Sequence, residues 1–172
     1  MTGNLIFEES WMGPFWRIKD AFVSCAEDYA PPAGGYHGPL RVGESQERVI
    51  RDDQRMNVHF HWINEGFMTN FVDPAKVEWH LDLFVEGMGQ FFEGAALHQA
   101  EAYLSTPGPV NYDFNYNLDP SKLIPNTGKW PAGVYELVAT IRLVEIDANG
   151  NVVRTLPMVG FAELGKLAIY KG

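Results

Sequence analysis

NVHFHWINEGF, residues 57–67, decides the fold. Together with Met56, the apolar Val58, Phe60 and Trp62 alternate with Asn57, His59 and His61. Successive side chains of an extended chain point to opposite faces, so this rhythm describes a strand buried on one side and wet on the other. The rhythm recurs at 77–86, where Val77, Trp79, Leu81, Leu83 and Val85 alternate with Glu78, His80, Asp82, Phe84 and Glu86. It recurs again at 112–118, where Tyr112, Phe114, Tyr116 and Leu118 alternate with Asp113, Asn115 and Asn117. Further strands are expected over 95–104, 133–146, 151–156 and 158–170, with DANG at 147–150 as a tight turn. No crossover helices separate these segments. The expected fold class is therefore mainly β, an antiparallel β-sandwich of about seven strands.

The first 48 residues have a different texture. Pro14 suits the first position of a helix, and Phe15, Ile18, Phe22 and Cys25 follow at spacings of three and four, which predicts a short helix over 14–26. Pro31, Pro32, Gly34, Gly35, Gly38 and Pro39 then break regular structure, and 30–47 reads as a loop. The expected organisation is an N-terminal arm and linker over 1–48 and a sandwich domain over 49–172.

The chain has 172 residues, 46% of them hydrophobic and 20% charged, which suits one compact domain and excludes disorder over its whole length. Its formal net charge of -9, with no Lys/Arg cluster, argues against nucleic acid and against an anionic membrane surface as partners. Cys25 is the single cysteine, so no internal disulfide forms. The N-terminal residues lack the basic and apolar regions of a signal peptide, and no apolar run reaches the roughly 18 residues of a membrane helix. A cytoplasmic location is the expectation.

WPAGVYELVATIRL, residues 130–143, resembles a late strand of immunoglobulin-like and fibronectin-III-like domains, with a Pro-x-Gly-x-Tyr start followed by alternating apolar residues. The resemblance spans one strand and its turn and implies a β-sandwich; the fold hosts unrelated activities.

His59 and His61 share a face. If strands 56–65 and 77–86 form a hairpin, His80 lies across from them, and Glu78, Asp82 and Glu86 line the same face. Imidazoles with carboxylates are ligands for zinc or another divalent metal. The spacing His59–His61–Glu65 also looks like the first motif of cupins, which implies a metal-dependent enzyme with those three residues as metal ligands; His80, if the hairpin forms, is a further candidate. The sequence departs from that family: Asp53 and Val72 stand where its glycines belong, and Glu136 where the histidine of its second motif belongs.

Asp113, Asn115 and Asn117 form a second polar row, expected to be a solvated face. With Tyr112, Phe114, Tyr116 and Trp130 near it, the row offers groups that bind sugar hydroxyls, so a carbohydrate or small-ligand module is an alternative. Trp62 and Trp79 lie on apolar faces and are expected in the core, as is Cys25 on its apolar stripe. Trp11, Phe15 and Trp16 in the arm, and Phe67, Met68, Phe71, Met88, Phe91 and Phe92 near turns, are candidate interface residues, because turns normally face water and aromatics anchor contacts. No Gly-x-Ser-x-Gly elbow, phosphate loop or dinucleotide fingerprint occurs, and no catalytic residue is assigned. The expected function is therefore that of a non-catalytic cytoplasmic subunit, with no cofactor beyond a possible divalent metal. It associates with itself or with another protein of a larger assembly.

Overall fold

The structure, a computed structural model, describes residues 2–7, 15–27, 49–88, 94–124 and 126–172. Among the described residues, ten strands run β1 (Thr2–Asn4), β2 (Ile6–Phe7), β3 (Arg17–Glu27), β4 (Val49–Arg51), β5 (Met56–Glu65), β6 (Val77–Gly87), β7 (Gly94–Ala102), β8 (Val110–Leu118), β9 (Gly133–Ile146) and β10 (Val152–Tyr170). A 3-10 turn occupies Phe67–Phe71, and one helical turn, α1, occupies Pro120–Leu123. Among the described residues no helix is long and apolar enough to cross a membrane.

The strands form two sheets, ordered β1-β3-β5-β8 and β2-β10-β9-β6-β7. Pairing is antiparallel throughout except where β4 runs parallel to the end of β10. The expected strands 151–156 and 158–170 are one continuous β10, with an irregularity against β9 between Thr155 and Val159. The inner faces meet where Trp62 of β5 packs edge-on against Trp79 of β6, ring centroids 5.3 Å apart. Tyr112 of β8 stacks on Trp62 at 4.7 Å. Phe60, Leu81, Leu83, Leu137 and Ile141 complete a fully buried centre.

Residues 17–27 correct the expected helix: they are β3, paired with β5. Two residues of β3, Asp20 and Ala21, face Trp62 alone, and Asp20 has φ 48°. This bulge inserts one residue into the alternation. Ile18 and Val23 consequently share a face although they are five positions apart, and an interrupted period of two imitates a period of three to four.

The expected hairpin between 56–65 and 77–86 is also corrected. β5 pairs with β3 and β8, whereas β6 pairs with β7 and β9 in the other sheet. Both strands turn their tryptophans inward, so their histidines point to opposite outer surfaces, beyond the roughly 10 Å that separates packed sheets.

One side of the sandwich is closed by the N-terminal chain, which passes from β1 in one sheet to β2 in the other over buried Leu5. On the other side β7 and β8 are sheet edges, with a cleft of about 390 Å³ between them.

Candidate functional site

Antiparallel register assembles a polar cluster on the outer face of the four-stranded sheet. His61 lies between Phe22 of β3 and Asp113 of β8, and His59 lies between Ser24 and Asn115. The His59 Nε2 is 2.8 Å from Asp113 Oδ1, and the His61 Nδ1 is 3.5 Å from Asp113 Oδ2. One ligand atom from each of His59, His61 and Asp113 falls within 4.8 Å of the others. Phe22 stacks on the His61 ring at 5.0 Å and meets His59 edge-on at 5.4 Å, which fixes both rings. His59 is 1% exposed, and its Nδ1 has no hydrogen-bond partner among the described residues. Asp113 faces solvent.

Glu65 does not join this cluster. Four residues along β5 from His61, it sits roughly 13 Å away in an extended chain. It is bonded to Lys19 and Arg17, which hold its carboxyl below the ordinary value. His80 is on the other sheet, where its Nε2 lies 2.7 Å from Glu78 Oε1 and its ring packs against His98 at 5.1 Å. Asp82, nearly buried, takes His98 at 2.5 Å, Thr140 Oγ1 at 3.3 Å and Arg142 at 3.4 Å. Glu65 and Asp82 are matched by cations or donors on neighbouring strands, and Glu78 by His80 on its own strand, which balances the cost of their burial. Glu86, at the far end of β6, is exposed opposite Glu136.

The sequence showed Asp113 as part of a separate row, and gave no sign that it would meet the histidines. That meeting depends on β8 adding beside β5, a non-local pairing. Phe22 was hidden by the bulge. Of the aromatics near the Asn row, Tyr112 and Trp130 are buried, with the Trp130 indole donating to Gln54 O at 2.8 Å. Phe114 and Tyr116 are half-buried against the core. Burial raises the pKa of Tyr116, helped by its hydroxyl's hydrogen bond to Glu101 at 2.6 Å.

A second feature lies at one end of β3 and β5. Phe15, Phe67 and Phe71 are 53%, 67% and 68% exposed. The Met68 amide donates to Phe15 O at 3.0 Å, and the Phe67 and Phe71 rings lie 4.9 Å apart. The structure thus brings together interface candidates more than 50 residues apart in sequence. Met68 is partly buried against the core, and Trp16 is buried within it. Met88 is exposed beyond the end of β6. Trp11, Phe91 and Phe92 lie outside the described residues. Beneath this end runs a buried relay: Trp16 Nε1 donates to Asn64 Oδ1 at 2.6 Å, Asn64 Nδ2 to Tyr103 Oη at 3.3 Å, and Tyr103 Oη to Thr69 O at 2.9 Å. Burial pushes the Tyr103 hydroxyl up to about 12.

No family model and no curated protein matches the chain.

Proposed function

We propose that the protein is a non-catalytic contact subunit, and that a second copy of the chain docks on the surface formed by Phe15, Phe67 and Phe71. The observation that carries this reading is that three phenylalanines, each more than half exposed, sit on backbone joined at one end of the sandwich by the Met68–Phe15 hydrogen bond. Isolated exposed apolar residues are ordinary, but grouped aromatics with a charged rim are the composition of an interface centre. The rim is supplied by Arg17, Lys19 and Glu65. It carries both signs, which allows unlike charges to meet across a two-fold axis in a self-complementary interface. The polar relay through Asn64 holds the turn that bears Phe67 and Phe71, which lowers the ordering cost of contact. The test is the oligomeric state of the wild type and of a Phe67→Ser, Phe71→Ser variant by light scattering. A dimer or larger species that dissociates in the variant supports the proposal; a wild-type monomer refutes self-association.

The immunoglobulin-like or fibronectin-III-like resemblance belongs to this proposal. Taking β3, β5, β6, β7, β8, β9 and β10 as strands A, B, C, C′, E, F and G gives sheet orders A-B-E and G-F-C-C′. Trp79, buried on β6, stands where such domains place a core tryptophan on strand C. The Tyr135 hydroxyl donates to Pro131 O at 2.7 Å, four residues upstream, in the manner of a tyrosine corner. These features support the assignment and are independent of any disulfide.

A second reading, a small-ligand or carbohydrate module, is favoured by the cleft between β7 and β8. Its lining includes Asn115, Asn117, Tyr116, His98, Gln99 and Lys122, groups that hydrogen-bond hydroxyls. Binding on a glycan array that is lost in an Asn115→Ala, Asn117→Ala variant supports this reading; an array without hits opposes it.

A further inference from the structure

We infer that His59, His61 and Asp113 bind a divalent first-row transition ion at a site open to water, on the outer face of the four-stranded sheet and independent of the contact surface. Two imidazoles and one carboxylate are a nitrogen and oxygen donor set favoured by zinc and its neighbours. The spacing fits such an ion. Ligands about 2.0–2.2 Å from one metal lie roughly 3.3–3.6 Å from each other in a tetrahedral site. The separations to the two oxygens of Asp113 are 2.8 Å from His59, just below that range, and 3.5 Å from His61, within it, and all three ligand atoms lie within 4.8 Å of one another. The rings are already oriented by Phe22.

Stability alone does not explain His59. An apolar residue at this buried position leaves no polar atom unsatisfied, whereas the imidazole leaves Nδ1 without a partner among the described residues. The nitrogen offered to the ion is the Nε2 that already faces Asp113 at 2.8 Å. The donor set also includes the exposed carboxylate of Asp113, a hard oxygen donor of the kind that first-row divalent ions accept beside imidazole nitrogen. Three protein ligands leave at least one coordination position, and Asp113 places it on the solvent side.

The experiment uses the untagged full chain, stripped with chelator, then titrated with Zn²⁺ by calorimetry and with Co²⁺ by visible absorption. One ion per chain is expected, with Co²⁺ giving ligand-field bands. Removing a direct ligand should weaken binding by more than the roughly 10–100-fold typical of supporting residues, so Asp113→Ala and His61→Ala should each lose Zn²⁺ by over ~100-fold. Glu65→Gln and His98→Ala should bind as the wild type does. Asp113 is exposed, so its variant keeps the fold, checked by circular dichroism, and decides the matter even if His61→Ala does not fold. No stoichiometric Zn²⁺ binding up to ~1 mM overturns the proposal. So does binding that survives Asp113→Ala, or that is lost on His98→Ala.

Discussion

The indole of Trp16 donates to the side-chain carbonyl of Asn64 at 2.6 Å, a bond between residues 48 apart, with both side chains buried. This bond ties the segment before β3 to the end of β5, and the relay beyond it reaches the turn at Thr69. Asn64→Ala removes the acceptor and leaves a buried indole N–H unsatisfied. The expected loss is about 2–4 kcal/mol in chemical denaturation, because an orphaned buried donor costs ~1–3 kcal/mol and a cavity adds to it. A change under ~0.5 kcal/mol would mean that the relay does not hold this end together.

Gly66 has φ 132°, and a Cβ placed on it would lie 2.2 Å from Phe15 O. Both the backbone and the space therefore exclude a side chain. Gly66→Ala is expected to destabilise by roughly 2–4 kcal/mol, through displacement of Phe15 or of the following turn. Thermal melts compared with Gly150→Ala test this, since Gly150 also has positive φ but nothing lies within 4 Å of its Cβ position. Gly66→Ala should be the more damaging of the two.

Asp147 closes the turn between β9 and β10. Its Oδ1 accepts from the amides of Asn149 at 2.8 Å and Asn151 at 2.9 Å, and the Asn151 side chain reaches both oxygens. These bonds, the Asn151 side chain foremost, lower its pKa from the ordinary 3.8. A folded-state value below the unfolded one stabilises above the unfolded pKa, and this stabilisation disappears as pH falls through the folded value. Asp147→Ala should therefore be less stable than the wild type at pH 7, with the difference shrinking below about pH 4. Urea titrations across that range check the sign.

Cys25 is buried on β3, and burial pushes its thiol up to about 12. A thiol in that state is scarcely ionised at pH 8 and is shielded from reagents. Ellman's reagent should label the native protein at the slow rate of strand opening, and label it at once in denaturant. Immediate labelling of the native protein would place Cys25 outside the core.

The strands facing the core were legible because period two survives wherever a strand is regular, as in β5 from Met56 to Trp62 and β6 from Val77 to Leu83. β3 was not legible, because one bulged residue at Asp20–Ala21 converts alternation into a helical spacing. Neighbour relations were less legible still. The pattern shows which residues share a face of one strand, and so pairs His59 with His61. It cannot show which strand lies alongside, so Glu65 and His80 stood in for Asp113, which reaches the histidines through the pairing of β8 with β5. The aromatic end was half legible: composition singled out Phe15, Phe67 and Phe71, while Trp16 is buried in the core, against Tyr103 and bonded to Asn64.

The most direct test of the contact function is multi-angle light scattering after gel filtration, on the wild type and on the Phe67→Ser, Phe71→Ser variant. Both side chains are exposed, so the variant should keep its folding stability within ~0.5 kcal/mol. The expected result is a dimer or larger species for the wild type and a folded monomer for the variant. A wild type that runs as a monomer, or a variant with unchanged mass, would contradict it.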